Sequence, residues 1–489
     1  MQAKPKTFAL VIFILGVFMS ALDNGIISSA LTTIEYSFNI SAVQGTWGIT
    51  LYTLGMAIAT PIVGKLADKF GRKKLFLIEI SIFALGSLLV AFSPSFTFFL
   101  AARLLQSFGG GGIFIIASSH ILSTYSKEKQ GALLGALGAI NGIASVVGPN
   151  LGSLVLNVTG HWSWLFLINL PIAVFVIIAG LIAIPETKQS HTQQLDIRGL
   201  TLLTFGILSF MLAITNLQSG ALLASLLTVK VLGLFALGIV FFGAFVWAEK
   251  NIKVKTDPFL PYSLLKSQGF LLTLLMGLLS GTLIAIFVFI PSFVEQTFGI
   301  SANNSGIFMS GIGLGSIVGA GLGGMLVSKL GATRTITLSG IISTIGFGLI
   351  AFFGTSTILF IAASSVAGLG FGMLMGAPFS VLINQIAGAK DSGVALGTLS
   401  VSRQIGLTIA PTLYATIVQN GFSEFAKSVG GSHLSVEALY LKLQKLGDTV
   451  QINLFHQTAQ SAYQGLFLLA VAASLIILAG GIYLNRKKI

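Results

Sequence analysis

The chain has no cysteine. Disulfides, thiolate metal sites and thiol nucleophiles are therefore excluded outright. Histidine is scarce as well: His120, His161, His191, His433 and His456 show no metal-ligand spacing, and no Ser/His/Asp set forms a nucleophile elbow. Neither enzyme chemistry of these kinds nor a metal or cofactor is expected. Charge is also in short supply. Only 8% of the 489 residues are Asp, Glu, Lys or Arg, against about 25% in soluble domains. With 54% hydrophobic residues and a mean hydropathy of +0.94, a soluble globule is excluded and the partner of most of the surface is a lipid bilayer.

What is present is a series of long apolar runs. An α-helix needs about 20 apolar residues to cross hydrocarbon, and roughly fourteen such stretches start near Phe8, Gly45, Leu75, Phe98, Ala132, Trp164, Leu200, Thr228, Phe270, Ser305, Thr335, Ser356, Ser392 and Ala462. The first, preceded by Lys4 and Lys6, is read as a spanning helix and not as a secretory leader, since it is long and carries an acid.

A net charge of +13 would point to nucleic acid in a soluble protein, but its placement reads differently here. Basic residues gather at the termini and in even-numbered connections, among them Lys127, Lys129, Lys188, Arg198, Lys390 and Arg486, while the short odd-numbered connections 35–44 and 157–163 have none. Positive charge marks the cytoplasmic side. Both termini are expected to be cytoplasmic in a multi-pass plasma-membrane protein, with no nucleic-acid partner.

Residues 64–74 form a glycine-punctuated basic run, and a degenerate copy returns from Gly324 to Arg334 with both glycines at matching offsets and Ser328 in place of Asp68. A repeat at that distance indicates two halves. The expected division is an N-terminal six-helix bundle at 1–190, an inserted helix pair at 191–250 and a C-terminal six-helix bundle at 251–489. A long outer loop is expected at 420–460, with an amphipathic run from Val436 to Leu446.

Asp23, Arg103 and Arg403 are charged residues that fall inside apolar runs. Asp23 lies near the middle of the first helix, where a charge costs on the order of 2.5 to 3.5 kcal/mol, so it is a candidate proton carrier; the alternative is a neutral acid bonded to a neighbouring helix. Arg103, whose guanidinium keeps its charge, is its candidate partner or else a static brace on carbonyls. Arg403 lies near mid-membrane with no acid of its own half at that depth, which points to carbonyl bracing or to an anionic group on a substrate. Residues 138–152 carry small residues four apart, a pattern that lets helices approach closely in lipid. The glycines at 109–112 read as ordinary packing.

Several of these groups resemble one family. Gly64-Lys65-Leu66-Ala67-Asp68-Lys69-Phe70-Gly71-Arg72-Lys73-Lys74 is similar to the helix 2 to 3 signature of the major facilitator superfamily. Leu22-Asp23 with Ala30-Leu31, Arg103-Leu104-Leu105-Gln106-Ser107 and Gly148-Pro149-Asn150-Leu151-Gly152 resemble signatures of its fourteen-helix drug:proton antiporter branch. Departures are Ala144 and Ser153 where that branch usually has glycine, and Ser163 where it usually has arginine.

The resemblance implies an all-α integral membrane protein with the major facilitator fold, two six-helix bundles and an inserted pair making 14 transmembrane helices. It implies a proton-driven exporter, or antiporter, of lipophilic and cationic drugs that works as a monomer. Its proton coupling would fall to Asp23 and Arg103, its cytoplasmic gating loop to Gly64, Asp68, Gly71 and Arg72, and its antiporter motif on helix 5 to Gly142, Gly148, Pro149 and Gly152. Helix 5 would pack against its partner in the other half. The substrate cavity is expected to draw on Asn24, Tyr52, Gln106, Asn141, Phe287 and Arg403. The rival expectations are a dedicated exporter of an anionic metabolite or lipid, and a membrane sensor or assembly partner that does not transport.

Overall fold

Long apolar runs leave the backbone one way to satisfy its N–H and C=O groups within hydrocarbon, the α-helix. The structure, a computed structural model, describes residues 3–187, 194–252, 255–300, 302–431 and 436–487. Its long helices are α1 (Ala3–Phe38), α2 (Trp47–Phe70), α3 (Arg72–Ala91), α4 (Phe96–Thr124), α5 (Lys127–Thr159), α6 (Ser163–Ala183) and α7 (Ile197–Thr215). They continue with α8 (Val229–Lys250), α9 (Gln268–Phe298), α10 (Ala302–Leu330), α11 (Ala332–Phe353), α12 (Thr357–Ala387), α13 (Ser392–Ser428) and α14 (Thr449–Arg486). Lys188, His191, Gln193, Lys253 and His433 lie outside the described residues, as do the side chains of Lys4, Lys6, Asn24 and Ser145.

Among the described residues, thirteen of these helices are long and apolar enough to cross a membrane. The remaining one, α13, has the length at 37 residues but not the apolarity. It carries Arg403, Gln404 and a series of hydroxyls, and it packs on α2, α9 and α14, so protein covers much of what lipid would otherwise meet.

The internal repeat is visible in the backbone. Gly71 joins α2 to α3 with φ 104° and Gly331 joins α10 to α11 with φ 86°, a region open to glycine at little steric cost. Ser95 caps α4 by accepting from the Phe98 N–H, and Ser356 caps α12 by accepting from the Leu359 N–H. Both are side-chain caps of the usual N-terminal kind.

Two helix interruptions also mirror each other. α4 breaks at Gly111 and Gly112, and α12 breaks at Gly376 just before Pro378. The expectation of plain packing at 109–112 holds for Gly109, which abuts the α3 backbone at Glu79 and Phe83. Gly112 does something else: its N–H, freed by the break, donates to the buried Glu79 carboxylate at 3.0 Å.

α5 packs along α10 and α1, and α2 along α13. A methyl group at Gly131 or Gly135 would overlap the α10 backbone around Gly324, and one at Gly138 would meet Gly376. Gly148 and Gly152, by contrast, lie against Gly25, Ile26 and Ser29 of α1. Helix 5 is expected to pack against its partner in the other half, and the structure places α10 and α12 there. Only the inner part of its small-residue face meets them, because the outer part is taken up by α1.

The inserted pair packs as α7 on α8. The chain enters α7 from Gln194–Leu195 and leaves α8 toward Thr256–Asp257, and these two segments pair as parallel strands. The outer loop is shorter than expected. α13 runs to Ser428 and α14 starts at Thr449, both longer than a bilayer needs. A helix at Val436–Leu446 lies between them, where Tyr440 stacks on Phe455 at 4.9 Å between centroids.

Candidate functional site

Two polar constellations and one isolated cation stand out in an otherwise apolar interior. The first lies within the first six helices. Arg103 of α4 donates to Asp23 Oδ2 of α1 at 2.7 Å and to Gln106 Oε1 at 2.5 Å. Gln106, one turn along α4, donates to Asp23 Oδ1 at 2.9 Å and to Ser87 Oγ of α3 at 2.8 Å. Asn169 of α6 adds a third donor to the carboxylate at 3.2 Å. The Arg103 guanidinium lies 4.1 Å from the ring centroid of Tyr52 and 5.5 Å from that of Phe166, distances at which a cation is attracted to an aromatic face.

All these groups are buried; Arg103, Gln106, Ser87 and Asn169 are each 0% exposed. A buried ion pair is tolerated when its remaining lone pairs and protons are met. Here one proton is not, since Arg103 Nε has no partner. The geometry thus brings together Asp23 and Arg103. It also encloses Tyr52 and Gln106, expected to line the substrate cavity, around the ion pair. Ser87 and Asn169 were not singled out in the sequence, although a lone Asn in the apolar run 164–184 is a visible signal.

The second constellation closes the inner ends of the helices. Asp68 Oδ2 of α2 accepts the Gly393 N–H at the start of α13 at 2.7 Å, while Oδ1 takes Arg72 at 3.2 Å. Arg72 also donates to Ser119 and Ser123 of α4 at 2.8 and 2.7 Å. Gly64 lies directly against the Gly393 carbonyl, with no room for a side chain. Gly71 supplies the turn, and Glu186 accepts the Lys73 and Lys74 N–H groups at the start of α3 at 3.2 Å each. In the degenerate copy, Ser328 only bonds back to Gly324.

Beneath this contact sits a cluster that the motifs did not announce. Lys65 is 2.8 Å from Asp257 and 3.7 Å from Asp391, and Lys390 is 3.2 Å from Asp257. Burial pushes the Asp257 carboxyl up, but Lys65 and Lys390 outweigh it and hold the group below its ordinary value. In the sequence, Asp257-Pro258 reads as a boundary, which conceals its role as an ion-pair partner.

The cation is Arg403. It is half-buried, its Nε is enclosed without a hydrogen-bond partner, and none of the ion pairs among the described residues includes it. Asn141 is exposed on α5. Phe287 lies on a 3-10 turn within α9, 5.8 Å from Phe371 between centroids.

The sequence pattern of the Major Facilitator Superfamily matches residues 13–411. An uncharacterized MFS-type transporter of Bacillus subtilis (strain 168), YfiU, is 48% identical over 98% of this chain and 96% of its own. Multidrug resistance protein 3 of the same organism is 31% identical over 65% of this chain and 61% of its own. Among solved structures, the proton:xylose symporter XylE superposes with a TM-score of 0.61 at 13% identity, over 96% of this chain and 95% of that one.

Proposed function

The chain belongs to the major facilitator superfamily, and from that premise we propose that it is a proton-driven exporter of lipophilic small molecules. Members of this family are transporters and not enzymes, and the apolar helices make this one a multi-pass membrane protein. The observation that carries the proton coupling is the buried Asp23 and Arg103 pair at 2.7 Å.

With Asp23 ionised, the ion pair is neutral and both carboxylate oxygens are engaged. A proton arriving from outside converts the carboxylate to an acid, and Arg103 is left with Gln106 Oε1 as its one remaining acceptor among the bonds described. The cation then has to find new partners, which shifts α4 against α1. The inner ends are held by Asp68 on Gly393 and by Gly64 against Gly393, so the starting state is closed to the cytoplasm. Rocking of one half against the other alternates access to a site between them.

The termini lie in the cytoplasm by charge placement, the division into bundles at 1–190 and 251–489 around the pair at 191–250 is retained, and a monomer suffices. One proton falling through 100 mV supplies about 2.3 kcal/mol, roughly a fifty-fold gradient if one net charge enters per cycle.

The multidrug relatives support a lipophilic cargo. The cationic class draws less support from the interior, since Asp23 is already occupied by three donors. The test is proton-driven flux in proteoliposomes, with the wild type set beside Asp23→Asn. Proton-driven movement in the wild type that the variant loses, while exchange of substrate down its own gradient persists, supports the reading. Flux in the variant that still follows the proton gradient would sink it.

A further inference from the structure

Arg403 is a permanent charge half-buried partway along α13, with its Nε enclosed and without a partner. It lies twelve residues along α13 from Asp391 at the inner end, about 18 Å at a helical rise of 1.5 Å per residue. Below it α13 is sealed: residues 391–397 are all buried, with Gly397 against Pro61 of α2 and Leu399 over Gly277 of α9. From Ser402 to Ile405 the helix becomes half-exposed. Arg403 therefore stands just above the floor formed by the closed inner ends.

Its direction follows from the helix. Thr416 and Gln419 bond to Ser219 in the connection between α7 and α8, which fixes the face of α13 that looks toward the inserted pair. At about 100° per residue, Arg403 lies roughly half a turn away from both. It points beside α9, whose Gly281 abuts the Arg403 backbone, into the space between the halves.

Among the described residues no ion pair brings an acid to it. Asp23 is engaged by Arg103, Gln106 and Asn169. Glu79 is buried on the Gly112 N–H. Asp68, Asp257 and Asp391 belong to the inner closure. Glu295 lies fourteen residues beyond Gly281 on α9, about 20 Å away along the helix. The undescribed side chains within the spanning helices, at 3–6, 24, 28, 32, 145–146 and 302–307, include no Asp or Glu. A guanidinium cannot discard its proton, and a charge held out of water calls for a counter-charge.

We infer that Arg403 is the recognition group for an acidic function on the substrate, so that the transported class is an amphiphile with one carboxylate or an equivalent oxyanion on a lipophilic body. Carboxylate geometry matches the guanidinium fork in a two-bond contact. On α9, the half-buried Phe289, backed edge-on by the buried Tyr414 of α13 at 5.8 Å between centroids, offers the apolar part a surface. This inference rests on the exporter reading for the word substrate, but the binding site itself does not depend on proton coupling.

The experiment uses the purified full-length protein and three probes: a dansylated fatty acid, its carboxamide, which is nearly the same shape without the charge, and tetraphenylphosphonium. Binding is read by dansyl fluorescence and by displacement, and flux is read in proteoliposomes. The wild type binds the acid at least about tenfold more tightly than the amide, the factor given by one charge-assisted contact. Arg403→Gln abolishes that difference without weakening amide binding, and Arg403→Lys keeps part of it. An unchanged gel-filtration profile for both variants excludes misfolding.

An equal affinity for acid and amide in the wild type overturns the inference, as does a preference that survives Arg403→Gln. Proton-driven flux of tetraphenylphosphonium with none of the acid would leave the exporter reading intact and remove this one. Acid-selective binding lost in Arg403→Gln, with no proton-driven flux of any probe, would do the reverse.

Discussion

Lys65 of α2 is held 2.8 Å from Asp257, a residue of the segment that follows the inserted helix pair. The same carboxylate also reaches Lys390, 3.2 Å away beside the start of α13. One acid at the start of the second bundle thus pairs with a lysine of the first and a lysine of its own at the inner end.

Removing that bridge should unlatch the inner side. In Asp257→Ala, Lys65 retains only Asp391 at 3.7 Å, and Lys390 retains none of its described ion pairs. Breaking one partner out of a buried pair is strongly destabilising. Because the chain has no cysteine, a single Ser400→Cys reporter just above the floor answers alone. A cytoplasmic maleimide should label it about tenfold faster in the Asp257→Ala background, the shift that about 1.4 kcal/mol gives. An unchanged rate would remove Asp257 from the latch.

The pH dependence of this latch has a definite sign. Asp257 has a folded pKa below its ordinary value, so its contribution is fully present above the ordinary carboxylate pKa, about 3.9, and fades as pH falls through the lower folded value. The labelling rate of the same reporter relative to its rate in the Asp257→Ala background, a ratio in which the thiol's own ionisation cancels, should therefore be flat from about pH 5 to pH 8. A rise on acidifying within that window would contradict the assignment.

Gly64→Ala tests the closure itself. Alanine favours a helix over glycine by about 1 kcal/mol, so α2 should not suffer. The new methyl group, however, overlaps the Gly393 carbonyl. Transport should fall by about tenfold or more, on the same scale of about 1.4 kcal/mol, with normal expression and thermal stability. Full activity would mean that the inner ends need not come this close.

The ion pair in the first half makes a prediction about stability. Asp23→Ala leaves Arg103 buried beside Gln106 alone and should cost about 3 to 5 kcal/mol, read as a lowered melting temperature in detergent. The double variant with Arg103→Met should recover most of that loss, because it removes the uncompensated charge together with its partner. If the double variant melts no higher than Asp23→Ala, the pair is not the source of the cost.

Much of this arrangement is legible in the sequence because lipid constrains it so tightly. Apolar run length marks thirteen of the fourteen long helices, and the recurrence of Gly71 at Gly331 exposes the duplication. Asp23 and Arg103 stand out since each is a rare charge in an apolar run, and no periodicity is needed to notice them. What does not show is who satisfies them. Ser87 and Asn169 reach Asp23 from α3 and α6 through tertiary packing, which leaves no spacing to read. Tyr52 and Gln106 look like cavity residues by depth alone, and only the packing of α2 on α4 reveals that they are enclosed. α13 is legible by its length from Ser392, although its half-buried polar side chains make it less apolar than the other thirteen helices. Gly148 and Gly152 carry the same small-residue pattern as Gly131 and Gly135, and a pattern of that kind does not say which helix lies opposite.

The parallel pairing of Gln194–Leu195 with Thr256–Asp257 has a topological consequence. The polypeptide departs for α7 and returns from α8 through two neighbouring strands, about 4.8 Å apart in such a ladder. The whole excursion is closed at its base, like a loop drawn tight by a knot. Cutting it out and joining Gln194 to Asp257 through one or two glycines would span that gap without pulling on α6 or α9, and would keep the carboxylate that faces Lys65. A twelve-helix molecule lies one short splice away from this one.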